Sequence, residues 1–449
     1  MHLLIDFSEM ILDMWNRCIQ DKYYPPIFDL AALLSYTLQL NTVAVAPHII
    51  SNLLPLIQTT CFLVAIPRFN SVNGDLSTHL DGAVQQLAHE IDVTQSLSLL
   101  YLSALGCIGP PPSGETPPTG PQGSVNYHQA QFWKHMQLEF VLMMLSPKHP
   151  EADFFGMLSL LCTSVLPDSI GPIPNPNLSL EQPGAGRPDD ETPEFAARSL
   201  IDRVSFYLAD PPKWEPRAPV KQCRARLAVL RTLVAFAKSP FGALQLAASG
   251  LVIPRLVTTL CWAIDSLYDM DVPRDLWAVA NTNDQIAAAE SMTVRGDSGP
   301  QEHDPDMTQE IDGADTTKPG PQAEERPGGQ SREVVPAATA EDDDEDTDID
   351  DDSERTDLLF QLISQLTLLL HTLITDPRTM NVANMPAKLA ASHGGGHRYL
   401  LTLARLTFAE EDLVFEAGIG ADTVELAHEL LELAVTLDEG EGVSEVFGP

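Results

Sequence analysis

Two short stretches of this chain carry residue types that catalysis uses. Gly296-Asp297-Ser298-Gly299-Pro300 is similar to the loop around the nucleophilic serine of trypsin-like proteases. It is one glycine short of that loop and lies in a polar, acid-rich segment, where no oxyanion hole can be preorganised. The overlapping Arg295-Gly296-Asp297 tripeptide matters only outside the cell. His393 to His397, "HGGGH", resembles the oxyanion loop of some lipases, but that chemistry also needs a G-x-S-x-G elbow between strand and helix, and the sequence has none. As metal ligands, two histidines on a triple-glycine loop are short of partners, and an exposed hinge between helices is the expectation there. P-loop and HExxH patterns are also missing from the sequence. An enzyme reading would have to rest on Ser298 or His393, and we expect neither to be catalytic, with no cofactor.

The other chemistry-bearing residues suit binding. The six cysteines, at 18, 61, 107, 162, 223 and 261, are 38 to 61 residues apart. That spacing makes neither a metal knuckle nor a compact disulfide framework, so they are expected to be buried thiols in a reducing compartment. Between positions 213 and 238 there are seven bases (Lys213, Arg217, Lys221, Arg224, Arg226, Arg231 and Lys238) and one acid, Glu215. A helix over 220–237 with Cys223, Leu227, Leu230 and Val234 inward turns Lys221, Arg224 and Arg231 outward. Such a row is either a solvated face or a docking patch for an acidic surface, a partner's or this chain's own acidic tract. Thr308-Gln309, in the acid-rich segment, is the dipeptide that checkpoint kinases of the ATR and ATM class prefer, which makes Thr308 a candidate phosphosite. Thr94-Gln95 and Ser364-Gln365 fall in expected helices.

These residues sit on a chain of 449 with 63 acids against 26 bases, a formal net charge of −37. That balance disfavours phosphate-driven contact with duplex DNA and points to protein partners. The most apolar stretch, 46–69, carries Pro47, His48, Asn52, Pro55 and Gln58 in its first half. It is expected to be a buried amphipathic helix pair, broken near Pro47 and Pro55 and closed by Pro67, with no membrane span. The N-terminus has no basic region or cleavage site of a signal peptide and reads as a chain that starts inside a helix.

Apolar runs at helical spacing, separated by breaks, continue along the chain, with no strand-like alternation. Helical repeats are expected over 1–108, with Asp92 or Thr94 as an N-cap. A Pro/Gly-rich linker follows at 109–124, then a helical pair at 125–166, a second linker at 167–193, and further repeats at 194–279. Over 280–356 the apolar signal vanishes, and "EDDDEDTDIDDDSERTD" places 12 acids against one arginine. Such a segment has too little apolar surface to offset its ordering entropy and is expected to be disordered. A C-terminal helical block, 357–449, opens with a stripe of Leu359, Leu362, Ile363, Leu366, Leu369, Leu370 and Leu373. It ends with a helix capped by Asp422 and Glu425, with Leu426, Leu430, Leu433 and Leu437 inward. Acid followed by "DLLF", 341–360, could serve as a recruitment motif, though Leu358 to Phe360 is more simply the first turn of a helix. The expected fold is all-α, a HEAT/armadillo-like helical-repeat solenoid with disordered acidic and Pro/Gly-rich linkers, with an irregular α-helical domain as the alternative because no strict repeat consensus recurs.

Four strings carry a resemblance: "YTLQLNTVAVAPHIISNLLPLIQTTCFLVAIPRFNSVNGDLS", "QLEFVLMMLSPKHPEADFFGMLSLLCTSVLPDSIGPI", "SPFGALQLAASGLVIPRLVTTLCWAIDSLYDMDVP" and "RLTFAEEDLVFEAGIGADTVELAHELLELAVTLDEGEGVSE". They resemble the C-terminal helical region of ATR-interacting proteins of filamentous fungi, the ATRIP or UvsD-type family of DNA-damage checkpoint subunits. The resemblance implies a nuclear, non-enzymatic subunit. It would bind the N-terminal helical repeats of an ATR-type phosphatidylinositol-3-kinase-like kinase and bring it to single-stranded DNA coated with replication protein A. The family's N-terminal acidic recruitment motif and dimerising coiled coil have no counterpart here, so the chain reads as a C-terminal portion or a truncated gene model. A helical-repeat adaptor in transport or trafficking is the alternative.

Overall fold

The computed structural model describes residues 2–77, 81–108, 126–174, 192–214, 218–267, 345–390, 395–408 and 419–434, with side chains from 353 onward in the helix that opens at 345. Every regular element among them is helical, with no strand. The order is α1 His2–Gln20, α2 Ile27–Leu40, α3 Thr42–Asn70, α4 Gly82–Glu90, α5 Val93–Cys107, α6 Tyr127–His135, α7 Leu138–Met144, α8 Glu151–Leu161, α9 Pro193–Ala209, α10 Pro219–Ala237, α11 Pro240–Ala248 and α12 Val252–Leu267. After them come α13 Glu345–Thr375, α14 Met380–Ala383, α15 Met385–Ala390, α16 Gly395–Thr407 and α17 Ala421–Ala434. The chain divides into two units, Met1–Ala280 with Asp350–Pro449, and Asn281–Ile349. Among the described residues the second holds only the opening backbone of α13.

In the first unit each helix packs mainly on near neighbours in sequence, as a helical-repeat stack requires. α3 lies against α1, α2, α5, α6 and α7, and α5 reaches on to α8. α10 lies against α8, while α9 packs on α10, α11 and α12. α11 meets α14, and α12 meets α15 and α16. Aromatic side chains fill the joints: the Phe154 ring of α8 stands edge-on to Tyr207 of α9 at 5.1 Å and to Trp214 at 5.3 Å. Where α5 crosses α3, Gly106 leaves no room for a side chain, since a Cβ there would lie 2.7 Å from the Thr42 carbonyl oxygen.

The break expected in 46–69 does not occur: α3 is one helix of 29 residues with Pro47, Pro55 and Pro67 inside it. Each interior proline removes a backbone donor, at about 3 kcal/mol in an unsupported helix. The carbonyls deprived by Pro47 and Pro55 belong to Val43 and Ser51, both residues on the exposed side of the helix. The opposite side buries Ile49, Ile50, Leu53, Leu54, Ile57, Cys61 and Val64, each large aliphatic contributing about 1.5–3 kcal/mol. Packing therefore outweighs the lost donors. Gln58, also buried, donates from Nε2 to the His135 carbonyl at 3.0 Å and accepts from the Gln137 N–H at 2.8 Å, tying α3 to the α6–α7 joint. By length and composition alone α3 and Ser353–Thr375 could each cross a bilayer, and 56% and 50% of their most apolar windows are buried inside the fold.

Other expectations shift. α13 starts at Glu345, inside the segment expected to be disordered, and all seven stripe residues from Leu359 to Leu373 are buried. A buried stripe downstream gives the helix a nucleus from which it extends backwards at little further cost. Asp422 lies within α17, whose first turn closes on the Gly420 carbonyl, so it is not the cap. α17 buries Thr423, Ala427, Leu430 and Leu431, whereas Leu433 is 64% exposed. Asp92 does cap α5, accepting from the Gln95 N–H at 2.9 Å. The segments 109–125, 175–191 and 268–344 lie outside the described residues, as does Leu437, but the start of the expected 167–193 linker is packed: Ile170 is buried and the Ile173 N–H donates to the Trp133 carbonyl at 2.9 Å.

Candidate interaction surface

α10 opens with Pro219 at its first turn and buries Cys223, Leu227, Leu230 and Leu233, with Val234 half-buried. That inward row places Arg224 and Arg231 on the exposed side as its periodicity requires, whereas Lys221, expected outward with them, is half-buried against the start of α8. Lys221 Nζ is 3.3 Å from Glu151 Oε2 in the first turn of α8. Arg224 Nε donates to Glu354 Oε1 at 2.9 Å, with Nη2 on the same oxygen. Arg231 Nη2 donates to Gln361 Oε1 at 3.2 Å. The two contacts are seven residues apart on both helices and rise together, so α10 and α13 run in the same direction in heptad register. The occupant facing the arginines is therefore this chain's own α13, at the end of its acidic tract.

Of the remaining bases, only Lys238, seven residues after Arg231 at the end of α10, continues this row. Lys213 pairs with Asp210 at 3.2 Å, and Lys238 is exposed. Arg217 lies outside the described residues, as do Thr308, Arg295–Asp297 and Gly296–Pro300. Arg226 is buried: its guanidinium carbon lies 3.7 Å from the Trp262 ring centroid, and Nε donates to the Leu208 carbonyl at 2.9 Å. Burial pushes its pKa down to about 10, so it stays charged at neutral pH. The arginine was countable in the sequence as one base among seven, and only packing tells it from Arg224. The Arg224–Glu354 pair is nearly half exposed on both sides, so it contributes little beyond about 1 kcal/mol. A double-mutant cycle with Arg224→Ala and Glu354→Ala should give a coupling of about 0.2–1 kcal/mol that shrinks with added salt.

A second cluster was not legible in the sequence. Asp153 of α8 is buried, accepts from Thr94 Oγ1 at 2.6 Å, and has Arg68 Nη1 at 3.4 Å from Oδ2. Burial raises its pKa, while Thr94 and Arg68 oppose the rise. Beside it the wholly buried His149 has no partner on either ring nitrogen among the described residues. Burial first, and the Arg68 charge second, push its pKa down to about 4, so the ring is neutral at pH 7. Arg68 and His149 border a groove of about 1120 Å³ between the turns at 72–77, 147–150 and 210–214. Gly74 serves that geometry: its φ is +76°, and a Cβ would lie 2.0 Å from the Lys148 carbonyl oxygen. The available signal was two acids, Glu151 and Asp153, at a helix start, which reads equally well as dipole complementation.

Gly395, Gly396 and His397 form the first turn of α16, so that part of "HGGGH" is helix and not a hinge; His393 and Gly394 lie outside the described residues. Burial of Tyr399, Leu403 and Leu406 holds the turn despite the poor helix propensity of glycine. Cys61, Cys107, Cys223 and Cys261 are buried and Cys18 is half-buried, but Cys162 is exposed, contrary to expectation. It opens the short turn after α8 on the outer side, while Thr163 and Ser164 of the same turn are buried. Among the described residues no cluster of His, Cys, Asp and Glu could hold a metal ion.

The family described as "Rad26-like, helical repeats" matches residues 56–374, and "Rad26-like, C-terminal domain" matches 383–447. The chain belongs to the Rad26-like family. The crystal structure of Myceliophthora thermophila Rad26 (residues 373-841) is 45% identical, with a TM-score of 0.70, covering 97% of this chain and 87% of that one. No curated protein matches. The Rad26-like family is the one to which the ATR-interacting proteins belong. Its two regions meet between 374 and 383, after α13, which assigns the long helix to the repeats.

Proposed function

We propose that this chain is a non-enzymatic scaffold subunit of the DNA-damage checkpoint, a fungal UvsD-type member of its family. In this reading it acts in the nucleus, binds an ATR-type kinase and supports the kinase's recruitment to single-stranded DNA coated with replication protein A. Membership of the Rad26-like family, with Rad26 itself 45% identical over nearly the whole chain, carries the reading. A stack of helices with exposed helix faces supports it, since such stacks present extended surfaces to other proteins. The domain division goes with it: helical blocks at 1–108, 125–166, 194–279 and 357–449, with linkers at 109–124, 167–193 and 280–356, the last two shortened by the packed residues 167–174 and by the start of α13 at Glu345, that let the blocks engage a large partner. Lys221, Arg224 and Arg231 form the patch through which an acidic surface docks, in competition with α13, and Thr308 is the site the bound kinase modifies.

The direct test is co-purification of the full chain with the N-terminal repeats of the ATR-type kinase. Stoichiometric capture is the expected result, with Arg224→Glu and Arg231→Glu together changing the affinity by about tenfold or more. No capture by a chain shown to be helical by circular dichroism would refute the kinase reading. Unchanged capture by the double variant would remove the patch from it.

A further inference from the structure

The outer face of α1 carries two ridges that a solvated helix does not need. One is apolar: Leu3 is 79% exposed, Met10 48% and Met14 38%. The other is acidic: Asp6, Glu9 and Asp13 are exposed, three and four residues apart, and none makes an ion pair or hydrogen bond among the described residues. Like charges at that spacing repel and weaken the helix that holds them. The buried side of the same helix, Ile11, Leu12 and Trp15, packs on α2 and α3 and is complete without either ridge. Trp15 Nε1 donates to Thr60 Oγ1 at 3.0 Å, which fixes how α1 is rotated and so which ridges face outward.

We infer that the outer face of α1 is a docking face for a helix of a protein partner, with one apolar side flanked by lysines or arginines. The apolar ridge would take the partner's apolar stripe, and Asp6, Glu9 and Asp13 its cations. A groove beside the acidic ridge extends the match. It holds about 370 Å³ between α1 and α3, bordered by Asp13, Asn16, Asn52 and Pro55. Pro55 has no N–H, so the Ser51 carbonyl on the groove's edge lacks its usual helical donor. A lysine or arginine reaching into the groove meets a carboxylate and that carbonyl together. A second copy of the same face is a poor occupant because acid would meet acid, and an anionic membrane surface is repelled for the same reason. The inference rests on the exposure and charge of α1 and stands or falls apart from the kinase assignment.

The test uses the full chain and a fluorescein-labelled synthetic peptide of about 18 residues, with leucines at three-to-four spacing and lysines flanking them. A matched peptide has glutamate in place of lysine. Fluorescence anisotropy should show binding of the lysine peptide and none of the glutamate peptide. The Asp6→Lys, Glu9→Lys, Asp13→Lys variant should bind at least about tenfold more weakly, as should Met10→Ser with Met14→Ser. A net charge of −37 attracts any basic peptide, so a control reverses three exposed acids elsewhere: Glu139→Lys, Asp357→Lys and Glu425→Lys. That control should stay within about twofold, and bound peptide should slow hydrogen exchange over residues 2–20. Equal weakening by the control, or no protection of α1, overturns the inference. Self-association of the chain that the α1 reversal abolishes overturns it as well, in favour of a second copy.

Discussion

Replacing Phe154 with alanine should cost about 3–5 kcal/mol, the range for deleting a fully buried aromatic side chain. The ring has no exposed surface and stands edge-on to both Tyr207 and Trp214. It therefore carries pair geometry worth about 0.5–1.5 kcal/mol per contact in addition to area. Those two neighbours are themselves anchored, Tyr207 by its hydroxyl on the Leu145 carbonyl and Trp214 by Nε1 on the His149 carbonyl at 2.9 Å. They cannot collapse into the hole, so most of the cavity cost remains. The expected readout is a large fall in the urea midpoint, with faster hydrogen exchange in α8 and α9 and little change in α16 and α17. A loss below about 1 kcal/mol would show that the α8–α9 joint is not packed as described.

Acid should weaken the fold through His149. An exposed histidine titrates at about 6.5, whereas burial and Arg68 hold this one at about 4 in the folded chain. Between those values the unfolded chain binds a proton that the folded chain refuses, so stability falls as pH falls. The stability held above pH 6.5 is lost progressively down to about pH 4, in all about 3 kcal/mol. Carboxylates raised by burial, Asp153 and Asp202, work in the opposite sense, because the folded chain binds their protons more tightly. The His149 contribution is therefore read from the difference between the parent chain and His149→Phe. Urea midpoints at pH 7 and pH 4.5 should converge in the variant relative to the parent. Parallel pH profiles would mean that the imidazole finds a partner or titrates normally.

How much was legible can be judged element by element. The stripe from Leu359 to Leu373 was readable because burial of one helix face repeats every three to four residues, and no distant information is needed to see it. The Asp92 cap and the inward row of α10 were readable for the same local reason. The unbroken α3 was not, because the local cost of its prolines is visible in the chain while the packing that offsets it comes from α1, α5 and α6. The outward turn of Leu433 escaped too: Leu and Thr sit on adjacent faces of α17, and the neighbour it packs on decides between them. Resemblance to the ATR-interacting family reached the family that the comparisons show, because long stretches of core sequence mark kinship even where they mark no site.

Residue order by itself determined that this chain is built of helices, where most of them lie and which family it belongs to, since each follows from patterns a few residues to a few tens of residues long. Only the tertiary structure decided that Arg226 is buried on Trp262 while Arg224 meets Glu354, and that Asp153, Thr94 and Arg68 form one cluster. The same holds for the acids of α1, which face outward with no ion pair among the described residues. The physical reason is range: a helix is written in neighbours along the chain, whereas the fate of a charge depends on groups as far as 141 residues away that folding brings within a few ångströms.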